Sequence, residues 1–216
     1  MCPHTAGACP CANWDYKNHD GHGFASLVRS RCKTLQVALK DGKVDYRAST
    51  TETRATHKEM FAGLTPKGCG YFAGNFRGSQ DCLVGYDLSS PPNTTPAVDV
   101  EKAMAAFTEQ VDADWSGFET RGGEAGIVDS DDLLRWIDVA LERMVTFLAI
   151  HPYANGNGHI SRFLILCYLG AAGFYPESWP VDKRPPDPYI NAIVLYRNGF
   201  ADDLRELVLK HINGEI

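Results

Sequence analysis

The stretch 151–162, which reads HPYANGNGHISR, contains residue types suited to binding phosphate. Gly156 and Gly158 allow positive φ and a close approach of the backbone to a ligand. A helix that begins here would present unpaired N–H groups, which bind anions. Asn157 can donate a hydrogen bond to a phosphate oxygen, and the planar guanidinium of Arg162 matches two such oxygens. The stretch therefore predicts a phosphate-binding loop.

Two histidines add acid–base chemistry to this loop. His151 follows a strongly apolar run, and an imidazole beside a phosphate is a suitable general base for a hydroxyl nucleophile. His159 precedes Arg162 by three residues, so both side chains would share one helix face. A plain turn is the alternative, because Asn-Gly pairs are typical of β-hairpins. Helical patterns on both sides favour the anion-binding interpretation, and the absence of a following Gly-Lys-Ser/Thr excludes a Walker A loop.

The segments around the loop have helical spacing. Apolar residues recur every three or four positions over 24–39, 54–63, 100–111, 133–148, 159–169, 188–197 and 201–212. The run 133–148 has the widest apolar face and predicts the central, mostly buried helix, with Asp129 or Ser130 as its N-cap. Residues 115–126 are rich in glycine and predict a loop, and 175–188 form a proline-rich connector.

Residues 64–96 differ from the rest of the chain. Strand-like runs at 71–77 and 82–86 flank the turn residues Gly78-Ser79-Gln80-Asp81, which predicts a small β-hairpin. The predicted fold is therefore mostly α with one β-hairpin. Residues 1–23 are predicted to be an irregular N-terminal leader, and residues 24–216 to form a single helical domain.

The composition bounds the class of protein. The chain has 216 residues, of which 44% are hydrophobic and 22% charged, which argues against a disordered or fibrous protein. With 21 Lys and Arg against 27 Asp and Glu, the net charge is −6, so nucleic acid and anionic membranes are not expected as partners. No apolar run reaches the roughly 20 residues of a membrane span. The N-terminus does not resemble a signal peptide, so a cytoplasmic protein is expected.

The seven cysteines are expected to be free thiols, as is usual in a cytoplasmic protein. A zinc site near the N-terminus is the alternative, but its Cys-Pro-Cys spacing matches no common structural zinc pattern. The ligands of that site would be Cys2, His4, Cys9, Cys11, His19 and His22.

The stretch 151–162 resembles the signature of the Fic domain, H-P-F-x-[D/E]-G-N-G-R-x-x-R. Weaker similarity surrounds it at 60–64, 74–77, 187–192 and 201–204, so that the resemblance covers about 54–212. It implies a Fic-type helical bundle with a β-hairpin flap. It also implies an adenylyltransferase that moves AMP, or another nucleoside monophosphate, from ATP or another nucleoside triphosphate to a Ser, Thr or Tyr hydroxyl of a target protein. Gly158 stands where the related death-on-curing kinases have Lys, which favours nucleotidyl transfer.

The resemblance assigns a role to each matching residue. His151 would deprotonate the target hydroxyl, and Tyr153 would anchor the loop in the core. The residues implied to bind nucleotide or phosphate are Asn155, Gly156, Asn157, Gly158, His159, Arg162 and Tyr189. Tyr189 could stack on the nucleobase, and the alternative is that it packs in the core. A flap that docks the target by strand addition would contain Gly74, Asn75, Phe76, Arg77, Leu83 and Val84.

Tyr153 replaces the Phe of the Fic signature, and two further residues depart from it. Asn155 replaces an acid that binds Mg²⁺, so the metal, or Mn²⁺ in its place, would be held weakly. His159 replaces an arginine, so a permanent positive charge would become pH-dependent. The enzyme would then be slow, use a different phosphate-linked donor, or only bind its ligand; retention of His151 favours an active transferase. No Glu is followed by Gly or Asn, so the family's inhibitory motif is absent, and inhibition would need a separate partner.

Overall fold

The computed structural model describes residues 14–17, 23–88, 91, 93–176 and 178–215. These residues form eight α-helices joined by turns and short 3-10 segments, and none of the helices is both long and apolar enough to cross a membrane. The helices are α1 (Phe24–Lys40), α2 (Tyr46–Thr51), α3 (Thr53–Phe61), α4 (Val100–Thr120), α5 (Ser130–Ile150), α6 (Asn157–Ala171), α7 (Tyr189–Arg197) and α8 (Asp202–Ile212). The prediction of a mostly helical fold is confirmed.

Helices α5 and α6 flank the predicted phosphate-binding loop and pack against each other over their length. The Asp129 carboxylate accepts the N–H of Asp132 at 2.9 Å, so the predicted N-cap of α5 is confirmed. The most deeply buried helix is α6, however, and not α5 as its apolar face had indicated. Nearly every residue of α6 is buried because α2, α3 and α5 enclose it, and its sequence is accordingly apolar on all sides.

Helix α4 extends beyond its predicted end. Residues 115–126 were predicted to form a loop, but α4 continues to Thr120, and only Gly123–Gly126 form a 3-10 turn. Trp115 and Phe118 are buried and contact Trp136 of α5, with ring centroids 5.6 Å and 4.3 Å apart. Burial of these aromatic rings outweighs the small helical cost of Gly117.

The predicted β-hairpin is wrong. Residues 71–86 contain no strand in the part of the chain that the structure describes; they form turns and the 3-10 segments Gly70–Phe72 and Asp81–Leu83. Gly74, Gly78 and Gly85 adopt positive φ, which interrupts any extended run. Phe72, Phe76 and Leu83 face the core, whereas Val84 is exposed, so the region does not alternate across a sheet.

A buried ion pair joins the central helices. Arg143 of α5 donates from Nε to Oδ2 of Asp114 on α4 at 2.6 Å, and both side chains are 11% exposed. The hydroxyl of Tyr168 on α6 donates to the same oxygen at 2.9 Å. One carboxylate therefore connects α4, α5 and α6.

The cysteines differ in part from the expectation. Cys32 and Cys167 are buried free thiols, but Cys82 is disulfide-bonded, so the expectation of free thiols is wrong for that residue. The N-terminal cysteines and histidines of the alternative zinc site lie outside the described residues. Because disulfides persist in oxidising compartments, the cytoplasmic location stays a prediction.

Removal of the central carboxylate should destabilise the fold. We expect Asp114→Ala to lower the free energy of unfolding by about 3 kcal/mol, because Arg143 and Tyr168 both lose the buried carboxylate that they share. The control is Asp112→Ala, which removes the exposed partner of Arg47 and should cost less than about 1 kcal/mol. Urea denaturation of both variants measures the difference, and equal losses would contradict the structural role of the buried pair.

Candidate active site

His151 ends helix α5 in an unusual backbone conformation. Its φ of 54° and ψ of 58° lie in the left-handed region, and its N–H donates to the carbonyl of Phe147 at 2.9 Å. Ring atom Nδ1 lies 3.1 Å from the carbonyl oxygen of Leu148. Because a carbonyl only accepts, Nδ1 carries the proton and Nε2 is the basic nitrogen. Burial lowers the pKa of His151 to about 4, to which the positive charges of Arg77 and Arg197 contribute.

A fully buried arginine, Arg77, fixes this end of the loop. Its guanidinium donates to four backbone carbonyls, and its own N–H donates to the carbonyl of Pro152 at 2.7 Å. The four carbonyls belong to Tyr86 (3.0 Å), Thr95 (2.7 Å), Ile150 (3.2 Å) and His151 (2.9 Å). The prediction that Arg77 docks a target is therefore wrong, because the side chain has no exposed surface.

The other predicted flap residues are also mostly inside the protein. Phe76 and Leu83 are buried, and the N–H of Gly74 donates to a ring nitrogen of His57 at 2.9 Å. Asn75 donates from its side chain to the carbonyl of Tyr71 at 2.7 Å. Val84 is 64% exposed, but it does not belong to a strand that could extend a target sheet.

Tyr153 is buried beneath the loop, as the resemblance implied. Its ring stacks on His57 with centroids 3.8 Å apart, and its hydroxyl bonds to Oγ1 of Thr53 at 2.8 Å. His57 accepts the Gly74 N–H on Nδ1 and donates from Nε2 to the carbonyl of Asn155 at 2.9 Å. Burial lowers its pKa to about 3, so His57 is a neutral residue that supports the loop.

Asn157 holds the loop closed by bonding to its backbone. Its Oδ1 accepts the N–H of Tyr153 at 2.9 Å, and its Nδ2 donates to the Tyr153 carbonyl at 2.7 Å. The side chain is therefore engaged within the loop, whereas the sequence had predicted that it binds phosphate. Next to it, Gly156 has φ of 85°, and a Cβ there would lie 2.4 Å from Cε2 of Phe61, so the position requires glycine.

The other end of the loop has the features of an anion site. Within the described residues, nothing accepts the backbone N–H of Asn157 or Gly158 at the start of α6. Arg162 is 4% exposed, donates to the carbonyls of Pro180 and Val181, and forms no ion pair with any described carboxylate. A Cβ at Gly158 would lie 3.0 Å from Nη1 of Arg162, so the guanidinium lies against the start of the helix. A buried positive charge and two unpaired N–H groups therefore occur together.

His159 does not supply the pH-dependent charge that the sequence predicted. Its Nε2 donates to the carbonyl of Asp182 at 3.1 Å and lies 3.2 Å from the hydroxyl of Tyr16. Burial and the nearby charge of Arg162 lower its pKa to about 3. The ring is therefore neutral throughout the physiological range.

Asn155 does not fit the role of a Mg²⁺ ligand in this conformation. Its Oδ1 accepts the N–H of Gly156 at 2.6 Å, and its Nδ2 donates to the carbonyl of Trp14 at 2.8 Å. Among the described residues, no three His, Cys, Asp or Glu side chains form a group that could hold a metal. The magnesium prediction therefore rests on the resemblance alone.

Tyr189 interacts with the side chain of Arg162, but it does not face the cavity as the resemblance implied. It is 2% exposed, its hydroxyl lies 3.7 Å from Sδ of Met144, and it does not line the cavity beside the loop. Stacking on a nucleobase would require an exposed ring face, so core packing is the correct interpretation.

His151, the loop and Arg162 line one cavity of about 900 Å³. Its walls are completed by residues 14–17, 86–88 and 182–184 together with Ala25 and Arg29. The roles of Trp14 and Tyr16 were not predicted, although two aromatic residues in a polar stretch are a signal of packing. The structural roles of His57 and Arg77 were not predicted either.

The buried histidines should make the protein sensitive to acid. Below pH 6.5 the unfolded chain binds a proton at each histidine, whereas folded His159 stays neutral down to about pH 3. Protonation therefore favours the unfolded chain. The free energy of unfolding has its full value above about pH 6.5 and decreases as the pH falls below it. For His159 alone we expect a loss of about 2 kcal/mol between pH 7 and pH 5.

Urea denaturation at both pH values measures this loss in the native protein and in His159→Gln. The variant lacks one titrating group, so its loss should be smaller by about 2 kcal/mol. An identical loss in the two proteins would show that His159 titrates normally in the folded state.

Comparison with known protein families agrees with the geometry of the loop. The family model for the Fic/DOC family matches residues 47–169, which include the loop and helices α3 to α5 in full. A search of curated proteins finds no significant match. The matched region covers more than half of the chain, and the chain therefore belongs to the Fic/DOC family.

Proposed function

We propose that the protein is a Fic-type transferase that moves AMP, or another nucleoside monophosphate, from a nucleoside triphosphate to a hydroxyl side chain of a target protein. Membership of the Fic/DOC family supports transfer of a nucleotide-phosphate group to a protein. The observation that carries the proposal is the single cavity lined by His151, the start of α6 and Arg162. It combines a base with groups that bind phosphate.

The chemistry follows from the protonation state of His151. Because Nδ1–H points to the Leu148 carbonyl, the lone pair on Nε2 can accept the proton of the target hydroxyl. The hydroxyl oxygen then bonds to the α-phosphorus, the bond to the bridging oxygen breaks, and pyrophosphate leaves with the electron pair. The product is a phosphodiester on the target.

The start of α6 and Arg162 would stabilise this reaction. Negative charge on the α-phosphate and on the leaving group increases during the transfer. The free N–H groups of Asn157 and Gly158 point from the positive end of a helix of 15 residues, and the Arg162 guanidinium is already desolvated. Groups that are fixed before the reaction need no reorganisation, so they favour the transition state.

A nucleotide-binding module without turnover is the second candidate. The neutral state of His159 and the engaged amide of Asn155 support it, because both lower the charge available for a triphosphate. The two candidates differ in whether label is transferred to a protein.

Incubation with a cell lysate and each of the four nucleoside triphosphates, labelled on the α-phosphate, tests the proposal. We expect label on a protein with the native chain and at least a hundredfold less with His151→Ala, since general bases contribute about 10²–10⁴-fold. Circular dichroism checks that the variant is folded. No label with any nucleotide, with or without Mg²⁺ or Mn²⁺, would support the binding module instead.

The rate should also keep its value at mildly acidic pH. A histidine with an ordinary pKa would lose its base form below pH 6.5, whereas His151 keeps it down to about pH 4. We therefore expect kcat/KM to stay within about twofold between pH 7.5 and pH 5.5. A decrease of about tenfold with a midpoint near 6.5 would show that the base titrates normally.

A further inference from the structure

Two of the departures from the Fic signature, Asn155 and His159, contact one short segment, residues 14–17. Asn155 donates from Nδ2 to the carbonyl of Trp14 at 2.8 Å, and Nε2 of His159 lies 3.2 Å from the Tyr16 hydroxyl. An acid at 155 would place a carboxylate against the Trp14 carbonyl. An arginine at 159 would place a longer, charged side chain where the Tyr16 ring lies, 5.6 Å from the His159 ring. The two departures therefore allow this segment to pack against the loop.

The segment 14–17 is an integral part of the site and not a loose tail. Trp14 and Tyr16 are each 3% exposed, and Nε1 of Trp14 donates to the carbonyl of Leu64 at 3.0 Å. The Trp14 ring contacts Phe61 and Phe72 edge to face, with centroids 6.1 Å and 5.6 Å apart. All four residues of the segment line the same cavity as His151.

This packing places a lysine beside the position of the missing arginine. Lys17 lines the cavity. Its positive charge also lowers the pKa of His159, although burial and the charge of Arg162 have larger effects. No described carboxylate forms an ion pair with its ammonium group, which lies 6.0 Å from the Tyr16 ring centroid. Lys183 and Arg184 line the cavity too, but neither is among the main charges that lower the pKa of His159.

We propose that Lys17 binds the terminal phosphates of the donor together with Arg162, and that segment 14–17 holds it there in place of an arginine at 159. The positive charge that the signature places on α6 would thus come from the N-terminal side of the chain. The inference rests on the proposed function only in requiring that the cavity accepts a phosphorylated donor. An ammonium group binds phosphate as a point charge, so it suits a position on the cavity wall.

Binding of inorganic tripolyphosphate to the full chain tests this role without any need for turnover or a particular base. We expect Lys17→Met to weaken binding about tenfold in isothermal titration calorimetry, and Lys17→Arg to retain the native affinity. Lys102→Met, which removes an exposed charge from α4, is the control and should have no effect. Lys183→Met removes a charge from the same cavity and should weaken binding less than Lys17→Met.

The outcomes separate this inference from the proposed function. If Lys17→Met binds tripolyphosphate as well as the native chain, or if Lys183→Met weakens binding equally, the role of Lys17 is overturned. The same holds if the native chain does not bind tripolyphosphate. If binding depends on Lys17 but no nucleotide labels a protein, the inference stands and the transferase proposal fails.

Discussion

The site depends on how the polar backbone of a buried turn is satisfied. Between α5 and α6 the chain must reverse inside the core, where each unpaired carbonyl or N–H group carries a large energetic cost. Arg77 meets this constraint at one end by donating to four carbonyls, and Asn157 meets it at the other by bonding to Tyr153. The position of the His151 ring follows from these bonds, because they fix the left-handed backbone that carries it.

Local patterns predicted most of the helices because a helix depends on residues three and four positions apart. The periodicity over 24–39 and the cap at Asp129 match α1 and the start of α5 closely. The same reasoning failed where distant contacts decide the conformation. Glycine content predicted a loop at 115–126, but the packing of Trp115 against α5 keeps that region helical. Alternation at 71–86 predicted strands, yet positive φ at glycines turns these residues into the core.

The site was predictable where it is contiguous in sequence and not where it is assembled from distant segments. The signature identified His151, Gly156 and Arg162, because their spacing alone indicates a loop before a helix. The partners that determine their properties come from far away: Arg77 is 74 residues from His151, and Tyr16 is 143 residues from His159. Such distant contacts explain why His159 is neutral. Asn157, by contrast, is engaged by Tyr153 only four residues away, and spacing alone carries no information about either arrangement.

The position of Trp14 and Tyr16 has a consequence for the choice of domain boundaries. Both residues precede the region 47–169 that matches the family model, yet their rings cover Phe61, Phe72 and His159. A fragment trimmed to the matched region would leave an aromatic surface open to water directly beneath the loop. Recombinant fragments that omit the first two dozen residues would therefore be prone to aggregate, and their inactivity would say nothing about the chemistry of the intact chain.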